Sequence, residues 1–390
     1  MIDKVKKEAL ILKILYFIRY FGDSLFYSFF QLYLFSKGLS EGRIGVILAI
    51  TPITAILANP FWNYMSKDAN VNRKIMRIIT VIEGLFIIII GRLELFELLC
   101  VLTSLIAVVG SPFYSLFDGY TLTFAENYEM QYSKIRRIGS LAYIFGCSIG
   151  GVLVGLIGYS WVFLIAGILF ILSSVLLSLL KPLPLEEKIK EKRNYKVVLT
   201  NPKFYLYLVF YISLFTIASL CENFLGVFLK SERGITDTFY GQFISIMVLV
   251  EFVAMIILGK LGYRIKDYYL YIIVGVLYIA RSFAVGFNLP TNVIMLCALL
   301  RGVSMGIILH IHLNHLRKIV GIENLTAGIL IIAIVSSTVL AVGNILCGHF
   351  IEIFSYQNVF MVLGIITLIS LTIYVIRGII FKEYKKIENK

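Results

Sequence analysis

The chain has 390 residues, 59% of them hydrophobic and 15% charged, with a mean hydropathy of +0.90 and a formal net charge of +13. A soluble domain of this length cannot hide that much apolar surface and would carry more charge, so the composition excludes one. Stretches of about 20 apolar residues, each enough to span a hydrocarbon core about 30 Å thick, recur twelve times: 10–35, 44–65, 75–91, 97–117, 137–158, 160–180, 204–229, 240–260, 268–287, 293–315, 326–348 and 357–377. The sequence therefore predicts an all-α integral membrane protein of twelve transmembrane helices.

The lysines that precede the first stretch superficially resemble the start of a signal peptide. The apolar run continues past Arg19 and Asp23 without a small-residue cleavage site, so it reads as a retained spanning helix. With the N-terminus assigned to the cytoplasm, the termini and the even-to-odd loops hold about 28 of the 36 Lys and Arg residues; the opposite loops hold about five. This positive-inside bias orients the chain with both termini in the cytoplasm, in the cell membrane. The basic excess then reads as topology and as contact with anionic lipid, not as nucleic-acid binding. The longest polar break, Lys181 to Lys203, contains Pro182, Pro184, a Glu/Lys-rich run and Asn201-Pro202. Proline and mixed charge favour a solvated linker. The expected organisation is an N-terminal six-helix bundle over 1–180, a cytoplasmic linker over 181–203 and a C-terminal six-helix bundle over 204–390. No loop is long enough to bury a core of its own.

The chain is also written twice. Gly38-Leu39-Ser40-Glu41 and Gly45 return as Gly234-Ile235-Thr236-Asp237 and Gly241, at an offset of 196. Gly146, Gly151, Tyr159, Phe163 and Gly167 return as Gly343, Gly348, Tyr356, Phe360 and Gly364, at an offset of 197. Two pseudo-symmetric copies in one membrane chain are the mark of alternating-access transporters, which hold their site at the repeat interface.

Several motifs add a resemblance. Ile14 to Leu34, ending Phe29-Phe30-Gln31-Leu32-Tyr33-Leu34, is similar to the first helix of the galactoside permease branch (oligosaccharide and nucleoside proton symporters) of the major facilitator superfamily. Asn59-Pro60-Phe61-Trp62 matches that branch at the end of helix two. Tyr132-Ser133-Lys134-Ile135-Arg136-Arg137-Ile138-Gly139-Ser140 resembles its entry to helix five, and Asn201-Pro202-Lys203-Phe204 its entry to helix seven. The superfamily's loop signature between helices two and three is degraded, with Asn63, Met65 and Lys67 where Gly, Leu and Asp are usual; the second copy keeps Gly259-Lys260-Leu261. The resemblance implies a secondary transporter without a cofactor, taking a small polar solute with protons and working as a monomer.

Ionisable side chains within a span cost roughly 2.5–3.5 kcal/mol each at the centre on insertion scales, so they pair or face water. By the spans above, Arg19 and Asp23 lie in helix one, Glu83 in three, Glu222 in seven, Glu251 in eight, Arg281 in nine and Arg301 in ten. Asp118 ends helix four and Arg136 opens helix five. Arg19 and Asp23, four apart, share a helix face and can neutralise each other; alternatively Asp23 faces a cavity and contacts solute. Glu83 has no evident partner. In the permease branch, an acidic residue on helix four and an arginine on helix five, 18 positions apart as Asp118 and Arg136 are, grip sugar hydroxyls. An aromatic seven positions later, here Tyr143, stacks on the sugar ring. Such a set suits a polyol: the carboxylate accepts, the guanidinium donates in a fixed fork, and the ring covers an apolar face. The alternative is that Asp118 and Arg136 are ordinary residues of the cytoplasmic edge.

Glu251 and Arg281 also fit the branch, which uses them for proton coupling and substrate contact. Arg301 stands in place of its histidine and Ser304 in place of the proton-carrying acid three positions later. Serine carries no proton at accessible pH and arginine stays protonated. Proton coupling then requires another carboxylate, Glu251 first and Glu222 second; the alternative is a structural Glu–Arg lock across helices eight to ten. His310, His312 and His315 do not share one helix face, and no metal site is expected. The five cysteines are scattered singly and read as small apolar residues. No nucleotide loop or nucleophile elbow is present. The reading is a sugar, glycoside or nucleoside symporter of alternating access. Its rivals are a drug or metabolite exporter, a transport-inactive membrane sensor or partner protein, and a lipid-embedded transferase, for which no loop offers a catalytic constellation.

Overall fold

Local sequence sets where the helices start and stop. The computed structural model describes residues 2–184, 195–261 and 265–380. The Glu/Lys-rich centre of the expected linker and the basic C-terminal end lie outside the described residues. The helices in chain order are α1 Ile2–Phe26, α2 Phe30–Ser36, α3 Glu41–Met65, α4 Ala69–Ile90, α5 Phe96–Gly110, α6 Phe113–Asn127, α7 Tyr132–Ile157 and α8 Tyr159–Leu179. They continue with α9 Tyr195–Leu199, α10 Pro202–Tyr211, α11 Ile217–Ser231, α12 Asp237–Leu261, α13 Asp267–Gly286, α14 Thr291–Val320, α15 Leu325–Ile353 and α16 Tyr356–Ile380. A π-helical turn, Ile212–Thr216, joins α10 to α11. Asp68 caps α4 by accepting from the backbone N–H of Asn70 (2.8 Å) and Val71 (2.9 Å). Asn201 caps α10 by accepting from the Lys203 N–H at 3.0 Å, with Pro202 in the first turn, where its missing N–H costs nothing.

Among the described residues the chain forms twelve long helical stretches, and ten of these are apolar enough to cross a membrane. The other two, α1 and α4, carry Arg19, Asp23 and Glu83 within their length. The protein is an all-helical, multi-pass membrane protein.

Asp118 does not lie at the end of its helix, whereas Arg136 is the fifth residue of α7. Hydropathy alone closes the fourth span at 117, but α6 runs on to Asn127 because Tyr120, Thr121, Phe124 and Ala125 are buried beyond it. Thr121 returns its hydroxyl to the Phe117 carbonyl at 2.8 Å, which lets a polar residue continue the helix. Asp118 thus sits nine residues, about 13 Å, before the end of α6.

The chain divides into two compact units. The first contains Met1–Lys188 with Leu229–Ser245; the second contains Ile189–Phe228 with Ile246–Lys390. In the first, α1 packs on α7 and α8, α4 on α5, α6 and α8, and α3 on α5. Its core gathers Leu12, Leu15, Tyr16, Met76, Phe113, Phe117 and Leu177. Lys230 and Asp237, from the Leu229–Ser245 segment, pair at 2.6 Å, and Lys230 also donates to the Tyr159 hydroxyl at 2.8 Å. In the second, α13 packs on α14 and α16. Its core is rich in tyrosine, with Tyr207, Tyr271 and Tyr374 beside Phe210, whose ring stacks on Tyr374 at 3.9 Å.

The sequence repeat reappears as a packing repeat. Counted as spans, the third and sixth of each half pack together, α4 with α8 and α13 with α16. The repeated glycines Gly167 and Gly364 both sit at this contact. A Cβ at Gly167 would stand 2.5 Å from the Gly84 carbonyl oxygen, and one at Gly364 would stand 2.7 Å from the Phe283 ring. Small residues there let the helix backbones approach. Gly167→Leu is therefore expected to cost about 1–3 kcal/mol, the usual range for overpacking. Gly259→Ala, where nothing lies within 4 Å, should cost none. Thermal unfolding in detergent checks both.

Candidate functional site

Within the first unit, α6 and α7 bring Asp118 and Arg136 together, with Arg136 Nε 3.6 Å from Asp118 Oδ1. Tyr16 of α1 donates its hydroxyl to the same carboxylate oxygen at 2.7 Å. The Arg136 guanidinium lies over the Tyr20 ring at 4.4 Å and near that of Tyr16 at 5.7 Å. Both side chains of the pair remain about one third open, 31% for Arg136 and 38% for Asp118. The ion pair of Arg136 with Asp118 runs through Nε, and its two terminal nitrogens donate no hydrogen bond among the described residues. A carboxylate and a guanidinium with unused capacity, framed by tyrosines, can grip vicinal hydroxyls.

Tyr143 follows two turns after Arg136 on α7, and its hydroxyl lies 2.9 Å from Ser28 Oγ on the segment joining α1 to α2. Seven residues along a helix return to nearly the same face, so Tyr143 and Arg136 share an aspect of α7. Asp23 is placed differently. It is 3% exposed and forms ion pairs in a closed cluster with Arg19 and Glu83, not with the open Asp118–Arg136 pair. Glu83, which has no evident partner in the sequence, is the chief partner of Arg19, at 2.8 Å. Sequence distance hides that pair: the two residues are 64 positions apart on α1 and α4.

Within the second unit, Glu222, Glu251, Arg281 and Arg301 form one continuous chain of ion pairs. Arg281 Nη1 donates to Glu222 Oε1 at 3.2 Å, and its Nη2 to the Ala218 carbonyl at 2.6 Å. Arg301 donates to Glu222 Oε2 at 2.9 Å through Nη2, contacts Glu222 Oε1 through Nε, and reaches Glu251 Oε2 at 3.0 Å through Nη1. Glu222 is thus the bridge and Glu251 the open end. A Cβ at Gly302 would stand 2.8 Å from the Glu251 backbone nitrogen, so that glycine lets α14 approach α12 closely enough for the Arg301–Glu251 pair. Two cations match two carboxylates, so the network is neutral with all four charged. Ser304 is fully buried and turns its hydroxyl back to the Leu300 carbonyl at 3.4 Å.

The histidines of α14 take up local polar contacts. The ring of His312 lies 2.7 Å from the Tyr207 hydroxyl, and His315 meets Asp267 at 3.2 Å. Asp267 supplies an acidic partner that the local sequence around the histidines does not contain. Among the described residues no three His, Cys, Asp or Glu side chains gather as a metal-binding set.

A sequence-family profile described as the MFS_1 like family matches residues 9–362. A curated relative, described as the uncharacterized transporter YwbF of Bacillus subtilis (strain 168), is 20% identical over 394 residues, covering 96% of this chain and 95% of that protein. Among solved structures, a variant of the nucleoside transporter NupG superposes with a TM-score of 0.84 at 14% identity, covering 94% of this chain and 99% of that one. A bacterial homologue of the human lysosomal transporter Spinster, inward-facing and unoccupied, gives a TM-score of 0.75 at 12% identity, covering 99% of each chain. At these identities the two structures establish a common fold.

Removing Arg281, itself 1% exposed, leaves Glu222 and Glu251 to share Arg301 alone, an excess of one negative charge. Arg281→Met is expected to lose several kcal/mol of stability, at most the roughly 3–5 kcal/mol seen when one partner of a buried pair is deleted. Adding Glu222→Gln leaves the Arg301–Glu251 pair balanced and should recover part of that loss. Unfolding of the single and double variants in detergent measures the recovery.

Proposed function

The chain belongs to the MFS_1-like family of membrane transporters, and from that premise we propose that it carries a sugar, glycoside or nucleoside across the cell membrane by proton-coupled symport. Transport itself follows from the family; the solute class rests on the first unit's site. The observation that carries it is the open Asp118–Arg136 pair, with unused guanidinium donors, tyrosines on one side and Tyr143 two turns away. Its donors, acceptors and rings match the hydroxyls and apolar face of a sugar or ribose. Nucleosides belong in the class because they present the same diol beside a flat base, and NupG, which shares the fold, is a nucleoside transporter.

The Arg281–Glu222–Arg301–Glu251 chain serves as the switching element in this reading. Glu222 shares its two oxygens between two arginines, so the carboxylate stays paired when either arginine rotates away. Elements with two discrete arrangements of this kind are what ligands bias during a conformational cycle. The protein acts as a monomer with both termini in the cytoplasm, its basic loops against anionic lipid. As a transporter it leaves its solute chemically unchanged.

Ligand-induced stabilisation tests the solute class directly. A solute present at 100 times its Kd adds about 2.7 kcal/mol to the stability of the state that binds it. One class among sugars, glycosides and nucleosides is expected to raise the unfolding temperature of the wild type. Arg136→Gln and Asp118→Asn should lose that rise. Stabilisation that persists undiminished in both variants would remove the pair from the site.

A further inference from the structure

Among the described residues, Asp23 is a buried carboxylate with no hydrogen bond to either oxygen. Its neighbour Arg19 lies between the rings of Phe113 and Phe170, 4.1 and 3.7 Å from their centroids. The Arg19 fork is spent on Glu83, with Nη1 to Oε2 at 2.8 Å and Nη2 to Oε1 at 3.1 Å. Tyr27 donates a further hydrogen bond to Glu83 Oε1 at 3.1 Å. Gly110 closes the pocket: a Cβ there would stand 2.5 Å from the same oxygen. Among the described residues Asp23 has one ion-pair partner, Arg19 Nε at 3.4 Å, and neither of its oxygens receives a hydrogen bond. All three residues are at most 3% exposed.

The charges around Asp23 do not balance. Arg19 and Tyr20 face it from α1, Tyr27 from the segment that follows α1, and Glu83 from α4. Arg136 on α7 is the further cation within electrostatic reach, and it is itself set against Asp118 on α6. Packed on the same cluster, α8 contributes the Phe170 ring and has no charged residue in its length. Two arginines thus meet three carboxylates, an excess of one negative charge. In the second unit two arginines meet two carboxylates. A dry carboxylate without hydrogen bonds is the most unfavourable form of that side chain, and one proton removes the excess.

We infer that Asp23 is a proton-binding site and that it, rather than Glu251, carries the transported proton. This rests on the symport reading above. The proton arrives from water and forms an O–H bond on one Asp23 oxygen, which makes the group of five residues neutral. On release the proton returns to water, and Arg19 shares its guanidinium between Asp23 and Glu83. The solute enters this balance through Arg136, which belongs to both groups. A solute that engages Arg136 alters the positive charge seen by Asp23, so binding and protonation are linked.

Infrared difference spectra of the purified protein in lipid nanodiscs, taken between acidic and alkaline pH, read carboxyl protonation without any solute. One carboxyl band is expected to disappear in Asp23→Asn, to remain in Glu251→Gln and to return, shifted, in Asp23→Glu. Since asparagine keeps the shape and removes the excess charge, Asp23→Asn should fold. A wild-type band that survives in Asp23→Asn, or one lost in Glu251→Gln instead, overturns the assignment. The titration needs no flux, so its outcome stands apart from whether transport is coupled to protons.

Discussion

The cost of charge away from water governs how the ionisable side chains within the spanning helices are arranged. Ionised side chains inside a membrane are tolerated when partners are in place. Here the charges gather into two groups, each inside one compact unit. Arg19, Asp23, Glu83, Asp118 and Arg136 form the first, and Glu222, Glu251, Arg281 and Arg301 the second. The helices that do not pass as simple apolar spans, α1 and α4, are those that supply the buried triad of the first group. Their place in the fold is secured by the partners they bring, including the aromatic faces on both sides of Arg19.

The two groups differ in balance and in openness, and that difference organises the functional reading. The second group is neutral and continuous, with one carboxylate bridging two arginines, which suits an element that rearranges without separating charge. The first group combines an open pair with a closed carboxylate that lacks hydrogen bonds. In the proposed reading the open donor–acceptor pair recognises a polar solute, and the closed carboxylate holds a proton. Arg136 belongs to both, so the two ligands act on one electrostatic sum.

Much of the fold was legible because its signals are periodic or punctuated. Apolar runs of spanning length and the doubled glycine pattern reappear, and Gly167 and Gly364 occupy equivalent helix contacts. The Arg281–Glu222 and Arg301–Glu251 pairs were within reach because charges in apolar stretches are few and must find one another. The Glu83–Arg19 pair was not, because nothing in sequence marks which face of α4 meets α1. Hydropathy also placed Asp118 too close to the end of its helix, since tertiary burial of Tyr120 and Phe124 extends α6 past the apolar run. The charge balance of each group, which decides where a proton has a reason to sit, emerges only when all the partners are assembled.

Solute-driven proton entry is the most direct test of the account. Purified protein is placed in liposomes that contain a pH-sensitive dye, and sugars, glycosides and nucleosides are added one class at a time. The account predicts that one class acidifies the interior as it enters. Entry of labelled solute with no acidification would contradict it and leave a uniporter or an exchanger.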